Sequence, residues 1–224
     1  MADIHESSIT NSGLTRDWPS YRGKSDFLLR LQLCLKRLLD IVLALVLLLF
    51  VFPLLAVISL AIVIETGFPV FFFQRRPGRD NGVFTILKFR TMRQGKEIEN
   101  QVAYNDFRIT YVGKFLRQSS LDELPQLVNV VLGHMSLVGP RPHPVWLDAR
   151  FADRFENWRL RAGMRPGMTG LAQVNGARGE IKEEKDIERR LQLDLQYVET
   201  WSLLLDLKIL ARTALVVWLD ERAY

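Results

Sequence analysis

Asp122 and Glu123, adjacent carboxylates in Ser119-Ser120-Leu121-Asp122-Glu123, are the residues of this chain best suited to covalent chemistry. They follow a basic stretch. Positions 75–117 hold ten cations (Arg75, Arg76, Arg79, Lys88, Arg90, Arg93, Lys96, Arg108, Lys114, Arg117) against four acids (Asp80, Glu97, Glu99, Asp106). Carboxylates beside concentrated positive charge suit a site where anionic phosphates meet a nucleophile. At a helix start the dipole favours the ionised carboxylate, and an ionised aspartate can attack phosphorus to give an acyl phosphate. Glu123 has the chemistry to hold Mg2+, which takes one or two carboxylates plus substrate phosphates. The structural alternative is a capping box, Ser120-x-x-Glu123. It explains Glu123 and leaves Asp122 unexplained.

Arginines are the natural phosphate partners, because the planar fork binds two oxygens. Arg117 lies five residues before Asp122, and Arg141 is restrained between Pro140 and Pro142 after Gly139. Either is otherwise an ordinary surface charge. Arg165-Pro166-Gly167-Met168-Thr169-Gly170 and Asn175-Gly176-Ala177-Arg178-Gly179 read as turns whose amides can cradle a pyrophosphate, or simply as connectors. There is no Walker loop or GxGxxG. His134 and His143 lack metal-ligand partners at useful spacing and read as structural. No nucleic-acid-reading module is visible, and the basic stretch adjoins an apolar one, so nucleic acid is disfavoured as a partner.

The elements that position these groups follow from the hydropathy pattern. Ile41 to Ile64 is 24 residues without a charge, long enough for a membrane segment. Pro53 at its thirteenth position predicts a sharp bend, with halves of about 18 Å each. Ser59 is a candidate partner for carbonyls freed there. Cations lie on both flanks: Arg16, Arg22, Lys24, Arg30, Lys36 and Arg37 before it, Arg75, Arg76, Arg79, Lys88, Arg90 and Arg93 after it. The positive-inside tendency holds both flanks in the cytoplasm, which favours a re-entrant hairpin over a kinked span or a buried core helix. Asp40 at its mouth predicts an ion pair with Arg37. The single Cys34 excludes an internal disulfide and fits a reducing compartment. A pI near 9.5 suits nucleic acid, anionic lipid or phosphate substrates equally well.

Residues 1–25 are polar and read as a mobile N-terminus. Residues 26–66 comprise an interfacial helix over Phe27–Leu39 and the membrane hairpin. Residues 67–224 form the compact cytosolic domain. Within it, Val70–Gln74 and Val83–Phe89 predict a β-hairpin turning at Asn81-Gly82. Leu121–Leu132 predicts one amphipathic helix, Glu180–Arg190 a solvated helix, and Trp201–Trp218 a helix that closes the core or lies on the bilayer. The fold class expected is mainly α with a small β-hairpin.

From Lys36-Arg37-Leu38-Leu39-Asp40 to the C-terminus the chain resembles the bacterial sugar transferases, the monotopic phosphoglycosyl transferases. The matching blocks include Gln74-Arg75-Arg76-Pro77-Gly78, Lys88-Phe89-Arg90-Thr91-Met92, Ser120-Leu121-Asp122-Glu123-Leu124-Pro125-Gln126-Leu127, Gly139-Pro140-Arg141-Pro142 and Ala172-Gln173-Val174-Asn175-Gly176. One departure is Phe52-Pro53 where family members often have Ser-Pro. No counterpart of the multi-span N-terminal region of larger members is expected. The resemblance implies an enzyme of the bacterial inner membrane, catalytic domain in the cytoplasm. It moves a sugar-1-phosphate from a UDP-sugar, with glucose favoured, to undecaprenyl phosphate and releases UMP, initiating exopolysaccharide, capsule, O-antigen or glycoprotein glycan synthesis. It further implies Asp122 as nucleophile, Glu123 as Mg2+ ligand, and Arg117, Arg141, Arg165, Gly167, Thr169, Gln173, Asn175 and Arg178 as the substrate-binding set. Membrane lipid, downstream glycosyltransferases and a possible second copy of the chain complete the expected partners. Two other readings stay open: a one-step ternary mechanism with Asp122 as general base, and a non-catalytic scaffold on anionic lipid.

Overall fold

The computed structural model describes residues 26–93, 106–177, 179, 181 and 183–219. Residues 1–25, Lys96 and Arg178 fall outside that set. The described chain is mainly helical, with a two-stranded antiparallel hairpin and a short parallel pair.

Helix α1 runs over Asp26–Thr66 as one 41-residue element, so the interfacial helix and both predicted halves form a single helix. Pro53 lies inside it and does not end it, since one proline removes only one helical donor. Ser59 donates to Leu55 O at 2.7 Å, within its own turn and not at the proline. The helix is long and apolar enough to cross a membrane, and Leu49, Phe50 and Phe52 on it are exposed. Both of its ends are fastened to the same body. Near the start, Arg37 donates to Val130 O and Val131 O at 2.6 and 2.8 Å, and Asp40 accepts from Leu137 N. Near the end, Glu65 accepts from Tyr111 N and Val112 N at 2.7 and 3.0 Å. Asp40 therefore pairs with Lys36, at 3.9 Å, and not with Arg37, whose guanidinium satisfies the terminal carbonyls of a helix.

Strands β1 (Phe71–Pro77) and β2 (Val83–Phe89) pair antiparallel, Phe71 opposite Phe89. The turn falls one residue earlier than expected. Asp80 and Asn81 hold the two positive φ angles, 54° and 61°, and Gly82 N closes on Arg79 O at 3.0 Å. Aspartate and asparagine tolerate that region best after glycine.

Helix α2 (Tyr111–Gln118) starts on Thr110, whose side chain accepts from Gly113 N. The predicted helix over 121–132 is split. Leu121–Glu123 is a single 3-10 turn, and α3 covers Gln126–Leu132 after Pro125. Ser120 adopts φ 57° and its side chain makes no cap hydrogen bond to the turn, so the capping box does not form.

Strand β3 (Ser136–Val138) pairs parallel with β4 (Gly167–Thr169), so the predicted turn at 165–170 is partly a strand. Side chains are excluded where these segments touch. A Cβ on Gly139 would collide with Arg165 O, and one on Gly170 with Gly139 O. Helices α4 (Val145–Arg154), α5 (Leu171–Val174), α6 (Glu184–Thr200) and α7 (Leu203–Leu219) complete the described fold.

The main core joins Val130, Met135 and Val138 to Tyr197, Trp201 and Ile209, with Ala44 contributed by α1. A second cluster, Ile58, Ile62, Phe89 and Leu116, seats the end of α1 against β2 and α2. Ile209 on α7 is buried while Leu204, Leu207 and Leu215 are exposed, so that helix both closes the core and presents an apolar face.

Candidate active site

Four elements converge on the carboxylate pair. The 3-10 turn carries Asp122 and Glu123, β2 brings Lys88, α2 brings Arg117, and the loop after β3 brings Arg141. Asn129 of α3 fixes β2 against this turn: its Nδ2 donates to Thr85 O at 2.8 Å and its Oδ1 accepts from Leu87 N at 2.9 Å.

Glu123 is gripped by two cations. Lys88 Nζ donates to Oε1 at 2.7 Å, Arg141 Nη1 donates to Oε2 at 3.0 Å, and Arg141 Nη2 also donates to Oε1. Despite burial, those two cations hold its carboxyl well below the usual range. Asp122, only 4% exposed, is the opposite case, and its Oδ1 has no hydrogen-bond partner among the described residues. Burial pushes its pKa up to about 6 against the pull of Lys88, with the Glu123 charge adding to the rise. The expected dipole effect is overturned here. A dipole near a single turn contributes about 1 kcal/mol or less, and desolvating a carboxylate costs more.

The Arg141 backbone is held by donors from three places. Gly167 N binds Pro140 O at 2.9 Å, Arg161 Nη2 binds Arg141 O at 2.6 Å, and Arg76 Nη1 binds Pro142 O at 2.7 Å. Arg161 is itself locked to Asp194 at 2.8 Å and lies over Trp158. Burial, then repulsion from Arg141, brings Arg76 down to about 10. His143 is buried beneath this loop against Phe151 and Trp158, and burial plus Arg161 and Arg190 keep it neutral.

The remaining members of the expected substrate set are placed as follows. Arg117 Nε donates to Thr91 Oγ1 at 2.9 Å, and its charge acts on Asp122. Arg165 Nε donates to Gly133 O at 3.1 Å, among Arg37 and Arg79. Gly167 reaches the site through the Pro140 carbonyl, and Thr169 Oγ1 pairs with Thr213 Oγ1 at 2.7 Å. Gln173 is buried with Oε1 unpartnered, and Asn175 Nδ2 binds Leu171 O at 2.7 Å. Arg178 lies outside the described residues.

Sequence reasoning placed Lys88 and Arg76 in the basic stretch without a partner in the site, and it did not single out Arg161 or Asp194. Lys88 did carry a signal: it shares strand parity with buried Phe84 and Ile86, and a cation on a core-facing position asks for a buried partner.

The family model described as bacterial sugar transferase matches residues 31–220. A UDP-glucose:undecaprenyl-phosphate glucose-1-phosphate transferase of Escherichia coli (strain K12) is 43% identical over 192 residues, 85% of this chain and 41% of the relative. A transferase of the same description from Caulobacter vibrioides is 44% identical over 84% of this chain and 72% of its own length. An exopolysaccharide production protein of Rhizobium leguminosarum is 40% identical over 82% of this chain and 94% of the relative. The chain thus spans about two fifths of the Escherichia coli relative and most of the Rhizobium one.

Proposed function

The chain belongs to the bacterial sugar transferase family, and from that premise we propose that it transfers a sugar-1-phosphate from a UDP-sugar to undecaprenyl phosphate. Glucose is the favoured sugar, because two of the relatives above are named for UDP-glucose. Exopolysaccharide assembly is the favoured destination, on the name of the Rhizobium relative.

The observation that carries this reading is the buried Asp122 Oδ1, unpartnered beside a Glu123 neutralised by Lys88 and Arg141. Asp122, once ionised, attacks the phosphorus bonded to the sugar. The bond from that phosphorus to the UMP oxygen breaks, and UMP leaves with the electron pair. A phosphate oxygen of the lipid then attacks the same phosphorus and expels the Asp122 carboxylate. The acceptor is already an anion, so no proton has to be removed from it; this favours the two-step route over a general-base role. Catalysis then rests on positioning and on neutralising phosphate charge.

The donor set suits Mg2+. Asp122 Oδ1 carries no hydrogen bond, Glu123 Oε2 carries one, and a carboxylate oxygen has two lone pairs. Glu123, with Asp122 beside it, would hold the ion, which when bound neutralises pyrophosphate charge. Arg141 and Lys88 keep Glu123 ionised for that role.

The anchor is read as re-entrant, with the catalytic domain on the cytoplasmic face of the bacterial inner membrane. Support comes from α1 being fastened at both ends to one body, through Arg37 and through Glu65. The experiment is intact-protein mass spectrometry after mixing the chain with UDP-glucose and Mg2+ but no lipid. A gain of one glucose-phosphate, absent in Asp122→Asn, is the expected result. No adduct, with UMP released only when the lipid acceptor is added, would overturn the covalent route.

A further inference from the structure

A second basic site lies away from the carboxylate pair, at the foot of α1. A small open recess is lined by Leu33 and Lys36 of α1, Arg79 of the hairpin turn, and Gly163, Met164 and Arg165 before β4. Arg37 adjoins it, since its guanidinium lies against Gly133, whose carbonyl also receives Arg165 Nε.

One competing account is that these arginines merely cap the end of α3. That explains Arg37, which uses both terminal nitrogens on Val130 O and Val131 O. It explains only the Nε of Arg165. Among the described residues, no hydrogen bond or ion pair is recorded for the terminal nitrogens of Arg165. Arg79 does not serve the helix at all. Its Nε lies 3.3 Å from Asp80 Oδ2 yet is a buried donor without a hydrogen bond. Lys36 is already matched by Asp206 at 2.7 Å. Burial, then repulsion from Arg79 and Arg37, lowers the Arg165 pKa against the attraction of Asp40 and Asp80. Four cations, Lys36, Arg37, Arg79 and Arg165, meet three carboxylates here, Asp40, Asp80 and Asp206, so the recess keeps a net positive charge.

The wall of the recess identifies the class of anion. Leu33 belongs to the turn of α1 that leads into the apolar segment, and Leu28, Leu31, Leu35 and Leu38 around it are exposed. A basic recess at the edge of an apolar helix face matches a headgroup phosphate whose acyl chains lie along that face. We propose that Arg79 and Arg165 bind the phosphate of an anionic membrane lipid at the foot of α1, in a site separate from Asp122 and Glu123. Arginine suits it because the planar fork takes two phosphate oxygens at once. The proposal needs α1 to lie in a bilayer but does not rest on the transfer chemistry.

The test uses the full chain in a nonionic detergent with a fluorescent short-chain phosphatidylglycerol, competed by short-chain phosphatidylcholine or by inorganic phosphate. The expected result is preference for phosphatidylglycerol, about tenfold weaker binding in Arg79→Gln, and only partial recovery in Arg79→Lys, which restores the charge without the fork. Adduct formation at Asp122 should be unchanged in Arg79→Gln, which separates this site from the catalytic one. Equal affinity for the two lipids, or no effect of Arg79→Gln, would overturn the proposal. So would competition by inorganic phosphate at the same concentration as the lipid, since the source would then be free phosphate.

Discussion

Asp122 and Glu123 are neighbours in the chain and opposites in proton affinity. Glu123 is gripped by Lys88 at 2.7 Å and by Arg141, and stays ionised. Asp122 is buried with one oxygen unpartnered and is raised to about 6. The same burial acts on both, and the hydrogen-bonded cations decide the difference. A carboxylate held at higher basicity beside a permanently charged partner suits the proposed attack on phosphorus.

Adduct formation should follow the ionisation of Asp122. In the metal-free protein Asp122 is expected to ionise at about pH 6, and Mg2+ held beside it should lower the midpoint of labelling. Single-turnover labelling over pH 4.5 to 8 at several Mg2+ concentrations measures this. A midpoint that does not move with Mg2+ would count against the ion lying beside Asp122.

Asp122→Asn should abolish labelling and stabilise the protein. Between about pH 4 and 6 the folded chain holds the Asp122 proton more tightly than the unfolded chain does, so its ionisation removes stability as pH rises through that window. The neutral amide avoids this loss, by up to ~3 kcal/mol at pH 7. Thermal unfolding without Mg2+ should show a higher midpoint for the variant, and a lower one would contradict the assignment.

Glu123→Gln is expected to reduce transfer by roughly a hundredfold or more, because it frees Arg141 and Lys88 from their anchor and removes the charge proposed to hold Mg2+. Dependence on Mg2+ concentration should shift upward in the same variant. Wild-type rates at ordinary Mg2+ would rule out the role.

Lys36 and Asp206 form a buried pair that joins α1 to α7, and Tyr197 and Trp201 also donate to Asp206. Asp206→Asn should cost about 1.5–3 kcal/mol, because Lys36 then keeps only Asp40 at 3.9 Å and Val138 O at 3.1 Å, and Lys36→Met added to it should recover part of that loss. Chemical denaturation of the two variants measures the coupling.

Cys34 is exposed on the early part of α1, and Thr85 is exposed on β2 beyond the apolar segment. In inverted membrane vesicles an impermeant maleimide should label both Cys34 and Thr85→Cys (made in Cys34→Ser). Labelling of only one would place the two ends of the segment on opposite sides.

Several features were legible in local spacing. The apolar run, the hairpin, the carboxylate pair and the Pro140-Arg141-Pro142 restraint each depend on residues a few positions apart. The turn register was missed by one residue because Asp80-Asn81 and Asn81-Gly82 are both acceptable positive-φ pairs. Long-range partners were beyond reach. Glu123 meets Lys88 from 35 positions away, and Arg161 meets Asp194 from 33.

The sequence by itself determined which groups are available for chemistry and that a long apolar helix precedes them. Only the tertiary structure decided which carboxylate keeps its charge. Ionisation depends on how much water the surrounding elements exclude and which cations they deliver, and neither is a property of neighbouring residues along the chain.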